Sequence, residues 1–165
     1  MKTIVVIGAG KSGIGCALLA HFKGYNVFVS DNNKINDSSK NRLIENNIEF
    51  EENSHNNAIN MCPDVVVKSP GISNLSKVVE SFLSKNIKVI SEIEFASQFT
   101  HSEIIAITGS NGKTTTTLLT HKILNDYKLN VAFGGNTGIS FSSLITDKDY
   151  SYLVLELSSF QLEGI

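Results

Sequence analysis

Two glycine-rich stretches and one acidic strand end carry the residue types and spacing that nucleotide chemistry needs. Thr108-Gly-Ser-Asn-Gly-Lys-Thr114 follows the apolar run Ile104 to Ile107 and leads into Thr115, Thr116 and Thr117. Gly109 and Gly112 let the backbone curl so that N–H groups around Ser110 and Asn111 point inward at phosphate oxygens. The following helix adds its positive N-terminal end. In such a loop Lys113 reaches the β- and γ-phosphates of ATP, and the Thr114 hydroxyl is placed to ligate a bridging Mg²⁺. The common pattern G-x-x-x-x-G-K-[ST] has glycine where this chain has Ile107. The plainer alternative is a strand-to-helix turn with a surface lysine.

The second stretch, Gly8-Ala-Gly-Lys-Ser-Gly13, is a G-x-G-x-x-G turn between a strand-like run and a helix. Asp31 stands 31 − 13 = 18 residues after its last glycine, near the distance at which a dinucleotide fold places its ribose-binding carboxylate. The pattern indicates a nucleotide-type ligand without saying which one. Glu156 lies near the end of the run Tyr150 to Leu157, and an acid there can complete the Mg²⁺ shell of a nearby phosphate loop. A solvated strand-end carboxylate is the alternative. Ser69-Pro-Gly-Ile72 and Gly134-Gly-Asn-Thr-Gly138 are further turns at strand ends, where open α/β sheets bind ligands; the first also reads as an ordinary proline-glycine turn.

Alternating strands and helices position these turns. Lys2 to Ile7 is a β-branched run fit for a strand buried on both faces. A helix over Ser12 to Lys23 places Ile14, Leu18, Leu19 and Phe22 on its apolar side and stops at Gly24. Strands are expected at Tyr25 to Ser30, Ile48 to Glu51, Asp64 to Lys68 and Ile87 to Ile90. Helices are expected from Ser38 or Ser39 to about Asn46 and over Leu75 to Lys85. Ser91 is a candidate cap for a helix beginning Glu92-Ile-Glu-Phe95. After the phosphate loop come a helix to about Asp126, a strand over Asn130 to Phe133 and a last strand over Tyr150 to Leu157. The fold class is therefore α/β, with a domain boundary expected near 92 to 102.

The 165 residues are 41% hydrophobic and 18% charged with a net charge of −2, an ordinary globular composition that points to no nucleic-acid partner. No run approaches the length of a membrane span and no signal-peptide pattern opens the chain, so no membrane insertion and a cytoplasmic location are expected. Cys16 and Cys62 lack metal-ligand spacing and read as reduced core thiols. His21, His55, His101 and His121 form no ligand-like group in the sequence.

Taken together, Gly8 to Gly13, Ser69 to Ile72, Thr108 to Thr114, Gly134 to Gly138 and Glu156-Leu-Ser-Ser-Phe-Gln-Leu-Glu163 resemble the Mur ligases of peptidoglycan synthesis, in that family's order and along the whole chain. The last motif is similar to that of the branch adding D-glutamate, and the family's loop form Thr-Gly-x-Asn-Gly-Lys-[ST] accommodates Ile107. The resemblance implies a Rossmann-like N-terminal domain over residues 1–92, then the first part of a P-loop-type central ATPase domain over 93–165. It implies ATP-dependent amide formation between UDP-N-acetylmuramoyl-L-alanine and D-glutamate through an acyl phosphate, with ATP and Mg²⁺ as cofactors.

By the same resemblance, Lys113 and Glu156 are catalytic. Gly109, Ser110, Asn111, Gly112, Lys113, Thr114, Thr115 and Thr116 bind ATP, and Thr114 and Glu156 hold the metal. Lys11, Ser12, Asp31, Asn32, Gly71, Asn136, Ser158 and Gln161 bind the UDP substrate, with Ser158 also near a second metal. The family's adenine and D-glutamate pockets lie beyond position 165, so the chain alone is expected to be an inactive fragment. Its last strand is expected to expose apolar side chains and an unpaired edge. Three rival readings are an NAD-dependent oxidoreductase, a nucleotide-binding module without catalysis, and a ligase of the folylpolyglutamate-synthase kind.

Overall fold

Strand β1 (Thr3–Ile7) is β-branched on both faces because both faces are covered: Ile4 and Val6 face one apolar cluster, Val5 and Ile7 the other. The computed structural model describes residues 1–146 and 148–162, so Glu163, the end of the acidic-strand motif, lies outside the described residues. From β1 the chain runs through α1 (Lys11–Phe22), β2 (Asn26–Ser30), α2 (Asp37–Glu45), β3 (Glu49–Glu51), α3 (Asn56–Asn60), β4 (Val65–Lys68), α4 (Lys77–Ser84), β5 (Val89–Ser91) and α5 (Glu92–Ser97). The five strands form one parallel sheet in the order β3-β2-β1-β4-β5. Strand order reverses beside β1, so the turns after β1, β2 and β4 open onto one crevice at the carboxyl edge.

A second parallel sheet follows: β6 (Glu103–Ile107), α6 (Lys113–Asp126), β7 (Val131–Gly135), α7 (Phe141–Leu144), β8 (Tyr152–Glu156) and α8 (Ser159–Leu162), with strand order β6-β8-β7. The last strand is thus the central one. Leu153, Val154 and Leu155 are buried, against the expectation that this strand would be exposed. Apolar exposure falls instead on edge strand β6 and on α6, at Ile104, Leu118, Leu119 and Ile123. Among the described residues β6 has one neighbouring strand, and α6 packs on β7 and β8 with only part of its surface.

Helix α1 is buried from Gly13 to Ala20 without a break. It lies between the first sheet and the second unit, and its cluster continues through Phe141, Leu144, Leu153 and Leu155. A helix covered all round needs no polar stripe. Gly15 permits a close approach here, since a Cβ would lie 2.3 Å from Ser140 Oγ and 2.4 Å from Ser143 Oγ of the α7 segment. Phe22, expected on the buried side, is 61% exposed because the helix end projects past both partners.

Two short helices carry no apolar period long enough to announce them. Helix α3 sits in the asparagine-rich stretch, and α7 begins at Ser140, whose Oγ accepts from Ser143 N. Ser91 caps α5 as its type suggests, accepting from Glu94 N at 3.0 Å. The next residue, Glu92, is buried at the junction of the units and accepts from Ser142 N of α7 at 2.6 Å. Cys16 is a buried thiol whose pKa burial pushes well up, while Cys62 is exposed in the connection before β4 and so is not a core thiol. No helix among the described residues is long and apolar enough to cross a membrane.

Candidate functional site

The first candidate site is built by three turns at the carboxyl edge of the first sheet. Gly8 adopts φ +97° and donates its N–H to Ser30 O at 2.8 Å, tying the turn after β1 to the end of β2. Gly13 lets α1 close onto this turn: a Cβ there would stand 1.8 Å from Gly8 O. Asp31 accepts from Ala9 N at 2.7 Å through Oδ2 and from Asn33 N at 2.8 Å through Oδ1. Its carboxylate therefore fixes the glycine turn while facing a cavity of about 560 Å³ that Asn32 and Gly71 also line.

Two other residues read from the sequence as belonging here sit apart. Lys11 lines a different recess of about 320 Å³ with Arg42, Gly138 and Ser140. Ser12 is half-buried in the first turn of α1 and does not line the larger cavity. Sequence reasoning missed His55. It lines the larger cavity from the asparagine-rich segment before α3, where no spacing rule singles it out.

The second candidate site gathers around Glu156. Parallel pairing sets Ile107 opposite Glu156 on one side and Gly135 opposite it on the other, so the phosphate loop and the second glycine loop leave the sheet beside one carboxylate. Gly135, at φ +103°, leaves room that a Cβ would take at 2.3 Å from Glu156 O. Glu156 Oε2 accepts from Thr114 Oγ1 at 2.8 Å, and Oε1 accepts from Asn136 Nδ2 at 2.9 Å. Burial works to raise the Glu156 pKa. Hydrogen bonds from Asn136, Thr137 and Thr114 and the nearby Lys113 charge outweigh it and hold the carboxyl below its ordinary value.

Gly109 at φ +145° and Gly112 at φ +76° shape the loop, which runs into α6 at Lys113. Lys113 Nζ donates to Gly109 O at 2.8 Å, folding the lysine back over the loop. Ser110, Asn111, Thr114, Thr115 and Thr116 are exposed around it, and Thr117 is the buried hydroxyl of the run. Thr108, Gly109, Lys113, Asn136 and Ser158 line one open cavity of about 480 Å³. Gln161 is buried and turned inward: its Oε1 accepts from Ser158 N at 2.9 Å, closing the turn after β8. Among the described residues no cluster of three or more His, Cys, Asp and Glu is placed to hold a metal. Thr114 and Glu156 do offer two hard oxygen donors side by side, the donor type Mg²⁺ takes.

Two parallel sheets with glycine turns at their carboxyl edges, one turn carrying a phosphate-loop sequence with an acid on the adjoining strand, define an α/β protein with two candidate ligand sites. Residues 3–78 match the MurD N-terminal domain, and residues 107–164 match the Mur ligase middle domain. The chain belongs to the Mur ligase family.

It is 46% identical over 164 residues to a UDP-N-acetylmuramoylalanine--D-glutamate ligase of Christiangramia forsetii, a match covering 99% of this chain and 37% of the relative. It is 44% identical over 165 residues to the protein of that name from Bacteroides thetaiotaomicron, covering 100% of this chain and 37% of the relative. The chain thus spans 37% of the length of these curated relatives. Among solved structures, a murein peptide ligase Mpl from Psychrobacter arcticus aligns with a TM-score of 0.64 at 24% identity, over 96% of this chain and 38% of that one. MurC, a UDP-N-acetylmuramate-alanine ligase from Thermotoga maritima, aligns with a TM-score of 0.62 at 21% identity, over 95% of this chain and 37% of that one. These likenesses establish the fold.

Proposed function

We propose that residues 1–92 form the UDP-substrate unit, and residues 93–165 the phosphate-loop part, of an ATP-dependent ligase joining D-glutamate to UDP-N-acetylmuramoyl-L-alanine. The observation that carries this reading is the Thr114–Glu156–Asn136 network, which puts the phosphate loop and the second glycine loop on one carboxylate. An NAD oxidoreductase has no use for that network. A substrate spanning from the Asp31 cavity to Asn136 would bring its carboxylate toward the γ-phosphate held at Lys113.

A carboxylate is a weak acylating agent at neutral pH, so its oxygen first takes the γ-phosphoryl group, releasing ADP and giving an acyl phosphate. The amine of D-glutamate then attacks the acyl carbon and phosphate departs. Within this chain, loop N–H groups from Gly109 to Thr116 cradle the phosphates, and Lys113 exchanges Gly109 O for phosphate oxygens and offsets their charge. Thr114 and Glu156 would hold Mg²⁺, which supplies charge neutralisation at the transferring group. Asn136 meets the substrate's pyrophosphate, and Asp31, Asn32 and Gly71, which line the larger cavity, grip the UDP. Ser158 and Gln161 stand toward the muramoyl end.

Calorimetry on this chain tests the reading. UDP-N-acetylmuramoyl-L-alanine is expected to bind more tightly than NADH, and equal or tighter NADH binding refutes it.

A further inference from the structure

The hydrogen bonds around Ser30 fix the tautomer of the half-buried His55. Ser30 Oγ lies 2.8 Å from Glu51 Oε1, 3.3 Å from Ser54 O and 2.6 Å from His55 Nδ1. Glu51 is buried and also accepts from Asn57 N at 3.0 Å and Ala58 N at 2.8 Å, the partners of an ionised carboxylate. A serine hydroxyl has one proton, and both oxygens near it, Glu51 Oε1 and Ser54 O, accept only. If that proton went to His55, Ser30 Oγ and Glu51 Oε1 would meet as two acceptors at 2.8 Å. The hydroxyl therefore donates to the acceptor oxygens, and His55 must donate Nδ1–H to Ser30. In a neutral ring this leaves Nε2 with its lone pair, on a residue that lines the Asp31 cavity.

We propose that His55 is a specificity-determining residue of this site: a hydrogen-bond acceptor, held in its Nδ1–H tautomer by Ser30 and Glu51, that reads an O–H or N–H donor of the bound nucleoside. The proposal rests on the UDP reading of the cavity. Asp31 brings further acceptor oxygens to the same cavity, and a ligand of this class has both ribose hydroxyls and an imide N–H to offer. Burial holds the His55 pKa below its ordinary value, against the opposing pull of Glu51 and Asp31, so the neutral ring prevails at physiological pH. Lys77 is the cationic side chain that lines the same cavity. Protonation would turn Nε2 into a donor, so affinity should be full above the His55 pKa and fall below it.

Two measurements on the 165-residue chain test this, the first without any ligand. Nitrogen–proton correlation spectra of the ¹⁵N-histidine-labelled chain are expected to show His55 protonated at Nδ1 and bare at Nε2, and Ser30→Ala to shift it toward the Nε2–H form. An Nε2–H tautomer in the parent overturns the proposal whatever the chain binds.

In the second, UDP, 2′-deoxy-UDP and N3-methyl-UDP are titrated into the parent, His55→Ala and His55→Gln. His55→Ala is expected to weaken UDP about five- to tenfold and to flatten the fall in affinity at acid pH, with partial rescue by His55→Gln, which keeps an acceptor. The analogue lacking the donor that His55 reads should lose affinity in the parent and no more in His55→Ala. A loss from both analogues that is equal in parent and variant overturns the proposal. If the parent fails to bind UDP, the UDP reading falls and the assignment of a nucleoside donor falls with it, while the spectra separately establish the locked acceptor.

Discussion

Replacing Gly13 by alanine places one methyl group where the structure has no room for it. The Cβ would lie 1.8 Å from Gly8 O, 2.8 Å from Gly8 C and 3.1 Å from Ser69 Oγ, whereas ordinary contact begins at 3.4 Å. The first two neighbours are backbone and cannot rotate away, so α1 and the turn must part by well over an ångström. Neither gives easily. The turn is tied by Gly8 N to Ser30 O, and α1 is buried on all sides from Gly13 to Ala20. Overpacking of this kind costs about 1–3 kcal/mol, and a backbone clash between two anchored elements belongs at the upper end. With about 2–4 °C of melting temperature per kcal/mol for a chain of this size, 3 kcal/mol corresponds to a loss of roughly 6–12 °C. Urea denaturation and calorimetry give the measurement, with Gly71→Ala as control, since a Cβ there meets nothing within 4 Å. The control is expected to stay within about 0.5 kcal/mol of the parent. A Gly13→Ala chain equally close to the parent would refute the close-approach argument.

Four further outcomes follow from the same reasoning. Lys113→Ala should weaken binding of ATP with Mg²⁺ while leaving UDP-substrate affinity unchanged in calorimetry, because the lysine serves only the phosphate loop. Glu156 has a depressed folded pKa, so it contributes stability that is present above its unfolded value near 4.3 and is lost as pH falls through the folded value. Glu156→Gln should therefore flatten the acid limb of a stability–pH curve. Glu92 has the opposite sign: burial raises its folded pKa, so its contribution is full below about pH 4.3 and is lost as pH rises through the folded value. Glu92→Gln, which still accepts from Ser142 N, should remove that decline. Leu153→Ala, at a fully buried position, should cost about 2–5 kcal/mol in urea, whereas Leu119→Gln, 56% exposed, should cost under about 0.5 kcal/mol.

The glycine turns were legible in the sequence because their chemistry is local. Gly8, Gly109, Gly112 and Gly135 adopt positive φ, and Gly13 permits a contact that any side chain would block. Asp31 and Glu156 were legible because a strand end at a known spacing delivers a carboxylate to a predictable edge. What escaped depends on neighbours distant in sequence. The exposure of Phe22 reflects where the second unit stops covering α1, and α7 is defined as much by Glu92, 50 residues earlier, as by its own Ser140 cap. His55 joins the site through Ser30, 25 residues back, in a segment whose asparagines read as plain loop. Lys11 belongs to the glycine-turn motif, yet it lines a recess with Arg42 and Gly138, residues that no local pattern joins to it.

The strand order β6-β8-β7 carries a consequence for how the second sheet assembles. Among the described residues β6 and β7 do not pair with each other; each pairs there with β8, the last of the three to be synthesised. Until Tyr152–Glu156 emerges from the ribosome, two apolar strands and the phosphate loop between them wait with open edges. The closing step then places one strand between two others over loops of many residues, which carries a loop-closure entropy cost. Because that strand ends in Glu156, the sheet and the Thr114–Glu156–Asn136 network would be completed in the same step.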